Sequence, residues 1–365
     1  MKQTLRPTLQ DLGMECVLMQ AWKKTSAHLR YHSWYADTLG MDIEALRIPD
    51  FIRQIQDRIR DAGSFEARSL KLIPAPKNQR WAYVKGEWSP QEKNIGKKLR
   101  PLAHVDLQDQ VIATAMMLCL ADRVENRLGN PKLSVAKKQN RKRTLAYGHR
   151  LFCDGEGNEP LRHRWGSSKL YRSFYQDYQT FLERPKGVAK EQRDQDASNG
   201  DENEIAIVQS DLSKFYDRVR PSLLHGKLRL LKGESEEDTF FQLAERLFDW
   251  RWEDKARAEQ YATQHGIPEF GKIALPQGLV ASGFFANVAL LDFDVALRDR
   301  IGTVIDKGLG LVLHDACYYV DDFRMVITLP KGDRQVEEKE VRLAVASLLQ
   351  ATLSSTAPGL VQCLK

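Results

Sequence analysis

The chain has 365 residues, a formal net charge of +6, and is 42% hydrophobic and 28% charged. That is length for roughly two or three domains of ~150 residues, and enough apolar content to exclude a disordered chain. Charge interrupts every apolar run well before the ~18 residues that a membrane helix needs, so no membrane partner is expected.

Residues 1–70 read as a helical N-terminal region. The start, MKQTLRPTLQDLGMECVLMQ, has no apolar stretch leading to a small-residue cleavage site, so no signal peptide is expected. DIEALRIPDFIRQIQDRIRDAG carries Ile43, Leu46, Ile48, Phe51, Ile52, Ile55 and Ile59 close to helical spacing and stops at Gly63. Residues 70–103 read as strands and loops around a basic turn. DLQDQVIATAMMLCLADRVENRLG predicts a helix with an aspartate cap and a glycine stop. Two basic runs follow one another, KNIGKKLR (93–100) and AKKQNRKRT (136–144). Each suits a polyanion or simply a solvated face. YRSFYQDYQTFL (171–182) predicts an aromatic-rich helix, and the polar stretch 184–204 reads as a surface linker. Residues 71–204 thus form the second region.

The third region, 205–365, changes character. IAIVQSDL predicts a buried strand, RPSLLHGKLRLL a helix, and 236–262 charged helix. LPQGLVASGFFANVALLDFDVALRDRIG predicts a turn and a long apolar helix closing at Gly302. CYYV and FRMVITLP predict a hairpin, and a last amphipathic helix follows. This order predicts an α+β fold, an antiparallel sheet with helices on one face. Cys16, Cys119, Cys153, Cys317 and Cys363 show no CxxC spacing. They read as reduced core thiols of a cytoplasmic protein.

Asp321 and Asp322 sit side by side at the expected hairpin turn, and Asp211 ends the preceding strand. Aspartate suits a two-residue turn, and that alone would explain the pair. A strand end beside a hairpin tip can also gather three carboxylates, a costly cluster unless divalent cations neutralise it. Hard oxygen donors suit Mg²⁺. Two such ions about 3.5–4 Å apart activate a hydroxyl and stabilise the leaving oxygen of a phosphoryl transfer.

Five segments in order then resemble the reverse transcriptase family, spanning 96–322. They are GKKLRPLAHVDLQDQVI, LAYGHRL, QSDLSKFYDRV, LPQGLVASGFFANVAL and YVDD. The resemblance implies right-hand polymerase fingers (71–204) and palm (205–365). It implies a primer extended with dNTP on an RNA template into DNA product, and two Mg²⁺ ions on Asp211 and Asp321, with Asp322 as a further ligand or as the charge that orients these two, and the Leu212 carbonyl completing one oxygen shell. Lys97, Lys98 and Arg100 are implied at the triphosphate, Arg100 foremost. Tyr216 is implied against the sugar 2′ position, or else as a core aromatic beside Phe215. Gln277 and Gly278 are implied as the loop under the nucleotide, with Ser282, Phe284 and Asn287 on the helix beneath; Asn287 fits helix packing equally well. Lys137, Lys138, Arg141, Lys142, Arg143 and the cations of 162–172 are implied as nucleic-acid contacts, with Tyr319 beside the primer end.

LAYGHRL, LRHRWGSSKLYRSFYQDYQTFLERP and VQSDLSKFYDRVRPSLL look most like the bacterial defence-associated and abortive-infection members, which implies an anti-phage role. APGLVQCLK resembles the start of the next palm element, with Lys365 as a proton donor. The primer-grip hairpin and thumb that the family carries after it are not in the sequence. Alternatives are template-free or RNA-synthesising activity on the same fold, and a non-catalytic RNA-binding protein on a palm fold.

Overall fold

The computed structural model describes residues 5–33, 36–77, 81–90, 99–200, 203–331 and 336–364. The N-terminal region is helical: α1 (Leu9–Leu12), α2 (Glu15–His32), α3 (Thr38–Leu46) and α4 (Ile48–Ile59). The single helix expected across 42–63 is two, broken at Arg47, because Pro49 cannot continue a hydrogen-bond ladder and suits a first turn. β1 (Lys71–Pro76) pairs antiparallel with β4 (Leu99–His104), and β2 (Trp81–Val84) with β3 (Glu87–Pro90). α5 (Leu107–Leu128) is the central helix, buried from Gln108 to Ala121, capped by the Asp106 carboxylate and stopped at Gly129 (φ 79°) as expected.

After α6 (Lys138–Arg143) and the short pair β5 (Cys153–Asp154) and β6 (Arg162–His163) comes α7 (Phe174–Asn199). The linker expected from 184 is therefore helix almost to its end. Its interior Pro185 leaves the Phe181 carbonyl without an intrahelical donor, and the Cys317 thiol supplies one at 3.9 Å. Inward-facing Arg184 forms a bidentate pair with Asp315 (2.7 and 2.8 Å), both fully buried. Polar residues thus fasten this helix, which is why its sequence shows so little apolar period.

β7 (Glu204–Asp211), α8 (Phe215–Arg218), α9 (Pro221–Arg229), α10 (Thr239–Leu247) and α11 (Lys255–His265) follow. The helix expected over 236–262 is interrupted where Trp250 and Trp252 turn inward to donate to the Ala274 and Phe270 carbonyls. α12 (Ser282–Ala289) and α13 (Leu291–Arg300) replace the one long helix expected there. β8 (Val304–Asp306), β9 (Leu311–Tyr319), β10 (Asp322–Leu329) and α14 (Glu338–Thr356) complete the fold.

The main sheet runs β7-β10-β9-β8, antiparallel throughout. The expected α+β class holds, but helices lie on both faces, not one. α13 sets Phe293 against Phe323 (5.4 Å) and its Asp294 accepts from the Tyr318 hydroxyl, with α14 alongside. On the opposite face α7 packs Val188 and Ala189 against Val326. One buried cluster runs from Leu12 to Cys363 and joins all three regions.

Candidate active site

Strand register does most of the assembly. Asp322 opens β10 and stands opposite Asp211, the last residue of β7, and opposite Tyr319 of β9. Paired residues in a sheet point to the same face, so Asp211, Asp322 and Tyr319 share one. The hairpin turn is Val320–Asp321, not the Asp pair expected from sequence, and Asp322 belongs to the strand. Val320 takes the positive φ (60°) that such a turn needs. For a β-branched residue this is a strained conformation costing on the order of 1–3 kcal/mol.

The surroundings hold that strain in place. The Tyr147 N–H donates to the Tyr318 carbonyl, and the Tyr318 N–H donates to Leu145, both at 2.9 Å, so the LAYGHRL segment lies along the free upper edge of β9. Gly148 then passes under the turn so closely that a Cβ there would lie 2.5 Å from Val320 Cγ2 and 2.8 Å from its backbone nitrogen. Arg150 anchors the segment from below, fully buried against Glu125 (2.8 Å) and donating to the Ala146 carbonyl. Asn287 of α12 donates to the Gly148 carbonyl at 2.9 Å.

The electrostatics reflect the crowding. Burial, and then the neighbouring Asp322 and Asp211 charges, push the Asp321 carboxyl up to about 6, against its own backbone amide and Lys77. Burial and Asp211 raise Asp322 as well, against Arg324 and Lys77. Among the described residues, no three His, Cys, Asp or Glu side chains stand grouped as a metal site. The donor set nonetheless fits a hard divalent cation: carboxylate oxygens whose mutual repulsion such an ion would relieve. Side-chain rotation would have to bring them onto it. Leu212, beside them, is fully buried and its N–H donates to the Asp321 carbonyl at 2.9 Å.

Tyr216 lies next to this cluster. Burial, with Tyr171, Asp321 and Tyr319 around it, drives its phenol far above the ordinary range. The neighbouring Asp217 is buried, accepts from Gln277 Nε2 at 2.8 Å, and is raised by that burial to about 6. The Gln277 carbonyl accepts from the Ala103 N–H (2.7 Å), so the Pro276–Gly278 turn is an added strand step against β4. Gly278 sits at φ 140°, and Gln110 of α5 holds the turn from behind through the Gly278 carbonyl and the Val280 N–H. Arg100 is exposed on β4.

Other expected residues fall elsewhere. Lys97, Lys98 and Lys365 lie outside the described residues. Ser282 and Asn287 are buried; Ser282 donates to the Pro276 carbonyl, and both stabilise packing, not a nucleic-acid surface. Phe284 is buried and its N–H meets the Tyr171 hydroxyl. Tyr319 is 9% exposed and packed under α7. Arg141 is buried, committed to Glu191 (2.8 Å) and the Val135 carbonyl, and so leaves the basic surface. Lys137, Lys138, Lys142 and Arg143 are exposed.

Sequence reasoning missed Lys77, Asp217, Gly148 and Arg324. Lys77 directly follows β1, and only the fold shows that its charge acts on Asp321 and Asp322. No family model matches the chain, and no curated protein matches it.

Proposed function

We propose that the chain is the core of an RNA-directed DNA polymerase, extending a primer 3′ hydroxyl with deoxynucleoside triphosphates. The observation that carries this reading is the register of Asp211 against Asp322 with Asp321 in the adjoining turn. Two Mg²⁺ ions held by these carboxylates and the Leu212 carbonyl would activate the hydroxyl and steady the leaving oxygen. The chain's own groups supply the rest. Tyr216, beside Asp321, is the candidate for excluding a ribose 2′ hydroxyl by bulk. Lys77, just after β1, and Arg100, on β4, bring positive charge toward a triphosphate. Asp217 and β4 together fix the Gln277 turn that would back the nucleotide. A role in bacterial defence against phage is part of the same reading, on the resemblance of residues 145–224.

Primer extension with Mg²⁺ and the four dNTPs, on RNA and DNA templates and with no template, tests the reading. The expected result is extension on RNA that falls by roughly 10²–10³-fold or more in Asp321→Asn and Asp322→Asn, the scale for removing groups that stabilise transition-state charge. Equal extension by the wild type and the double variant sinks the polymerase assignment. Extension without a template would replace RNA-directed synthesis with terminal addition.

A further inference from the structure

The first turns of α7 carry a row of aromatic rings that the chemistry above leaves unused. Phe174 stacks on Tyr178 one turn along, with centroids 5.1 Å apart and planes 16° apart. Both rings meet Tyr319 edge-on, at 5.6 Å and 5.2 Å. Phe181 extends the row, 6.0 Å from Tyr319. Tyr319 in turn stands opposite Asp322 in the hairpin. The row is therefore fastened to the end of β9, directly across from the strand that opens on Asp322.

Its outermost member is not buried. Phe174 is 61% exposed, although Tyr178 and Tyr319 back it. A ring that served only the core would be covered, and an incidental surface ring would lack such rigid support. About two turns further along α7, a cation lies at the inner end of the row. Arg324, two residues along β10 from Asp322 and so on the same face, rests its guanidinium 5.2 Å from the Phe181 ring. Across the sheet it faces Gln209, which is exposed. The α7 side of the sheet thus carries two carboxylates and an arginine, with the exposed ring at the hairpin end of the row.

We propose that Phe174, backed by Tyr178 and Tyr319, is a stacking seat for an unpaired nucleobase at a strand end, with Arg324, beside Phe181 about two turns along α7, taking a phosphate further along the same strand. A flat apolar ring accepts any base face, and a guanidinium suits phosphate, so the seat is blind to sequence. The polymerase reading supplies the reason for a strand end there, and the seat rests on that reading. It adds a binding element from α7, outside the five segments that carry the resemblance to the reverse transcriptase family.

The test is equilibrium binding of the whole chain to two fluorescein-labelled single-stranded DNA oligonucleotides, one ending in an ordinary 3′ nucleotide and one in an abasic residue. The wild type is expected to prefer the base-bearing end by between about fivefold and a hundredfold, the range of one base–aromatic stack. Phe174→Ala abolishes the preference and Phe174→Trp keeps it, with unchanged circular dichroism in both. Arg324→Gln weakens both oligonucleotides alike and lowers the salt slope by about 0.7. A preference that survives in Phe174→Ala, or none in the wild type, overturns the seat alone if primer extension proceeds. Absence of any oligonucleotide binding overturns the seat and the polymerase reading together. A Phe174-dependent preference without extension leaves the seat standing and removes the polymerase.

Discussion

At the scale of single residues, the site depends on a glycine as much as on its acids. In Gly148→Ala the new Cβ meets Val320 Cγ2 at 2.5 Å and the Val320 backbone nitrogen at 2.8 Å. The hairpin must move, and with it Asp321, so extension is expected to fall at least tenfold while all three carboxylates remain. Val320→Ala removes the Cγ2 clash but not the backbone one, so the double variant should recover little; full recovery would show that only side-chain crowding mattered. Asp217 offers a pH test. Its folded pKa of about 6 lies above the ordinary ~4, so its charge opposes folding above pH 6 and not below pH 4. Asn can still accept from Gln277, so Asp217→Asn should be more stable than wild type at pH 8, by about 1–3 kcal/mol. The two should converge near pH 4 in urea titrations; a gap that stays constant with pH would refute the buried charge as its cause. The acids themselves were legible from sequence, because a carboxylate pair between two apolar strands is costly wherever it falls. The turn was not. Asp321-Asp322 is the better turn dipeptide by preference, yet Val320 takes the strained position because the LAYGHRL segment and Gly148 grip it from distant sequence.

At the scale of elements, α7 shows what periodicity overlooks. Phe181, Arg184, Val188 and Ala189 recur at helical spacing and are all buried, but an arginine in that row scores as surface. Arg184 is held in its position by Asp315 and by the Arg141 and Ala316 carbonyls, at 3.0 and 3.1 Å. Arg184→Met should therefore cost about 3–5 kcal/mol, since it strands Asp315 without a partner. Asp315→Leu added to it should recover part of that stability, though not the part owed to the unpaired carbonyls. Denaturation of the two single variants and the double variant measures the coupling, and strictly additive effects would mean that the pair is not an energetic unit. Capped and glycine-stopped α5 was readable almost to the residue because its signals are local. The break at Phe248–Asp254 was not, since Trp250 and Trp252 turn inward for carbonyls that only the folded chain supplies, whereas the break at Arg47 had its local signal in Pro49, masked by the continuous apolar period.

At the scale of the whole molecule, the net charge of +6 acquires a direction. The exposed cations of α6 lie near His314 of β9, whose imidazole is depressed first by burial and then by the Lys138 charge. Tyr319 is five residues further along the strand, roughly 17 Å at ~3.4 Å per residue. A strand leaving the carboxylates along this side could reach them within a few nucleotides. Arg141 cannot share in that binding, because Glu191 and backbone carbonyls hold it inside. Neutralising Lys137, Lys138, Lys142 and Arg143 together should therefore weaken oligonucleotide binding whatever its sequence. The plot of log affinity against log salt should flatten by ~0.7 for each phosphate that the chain no longer neutralises on a single strand, or ~0.9 on a duplex. Stability should change little, since surface charges of this kind contribute at most about 1 kcal/mol each. Binding titrations at several salt concentrations measure the slope directly. A flattening by roughly two to three units, the sum over three or four phosphates, would assign the run to the polyanion. An unchanged slope would return it to the other reading of its composition, a solvated helix face that touches nothing.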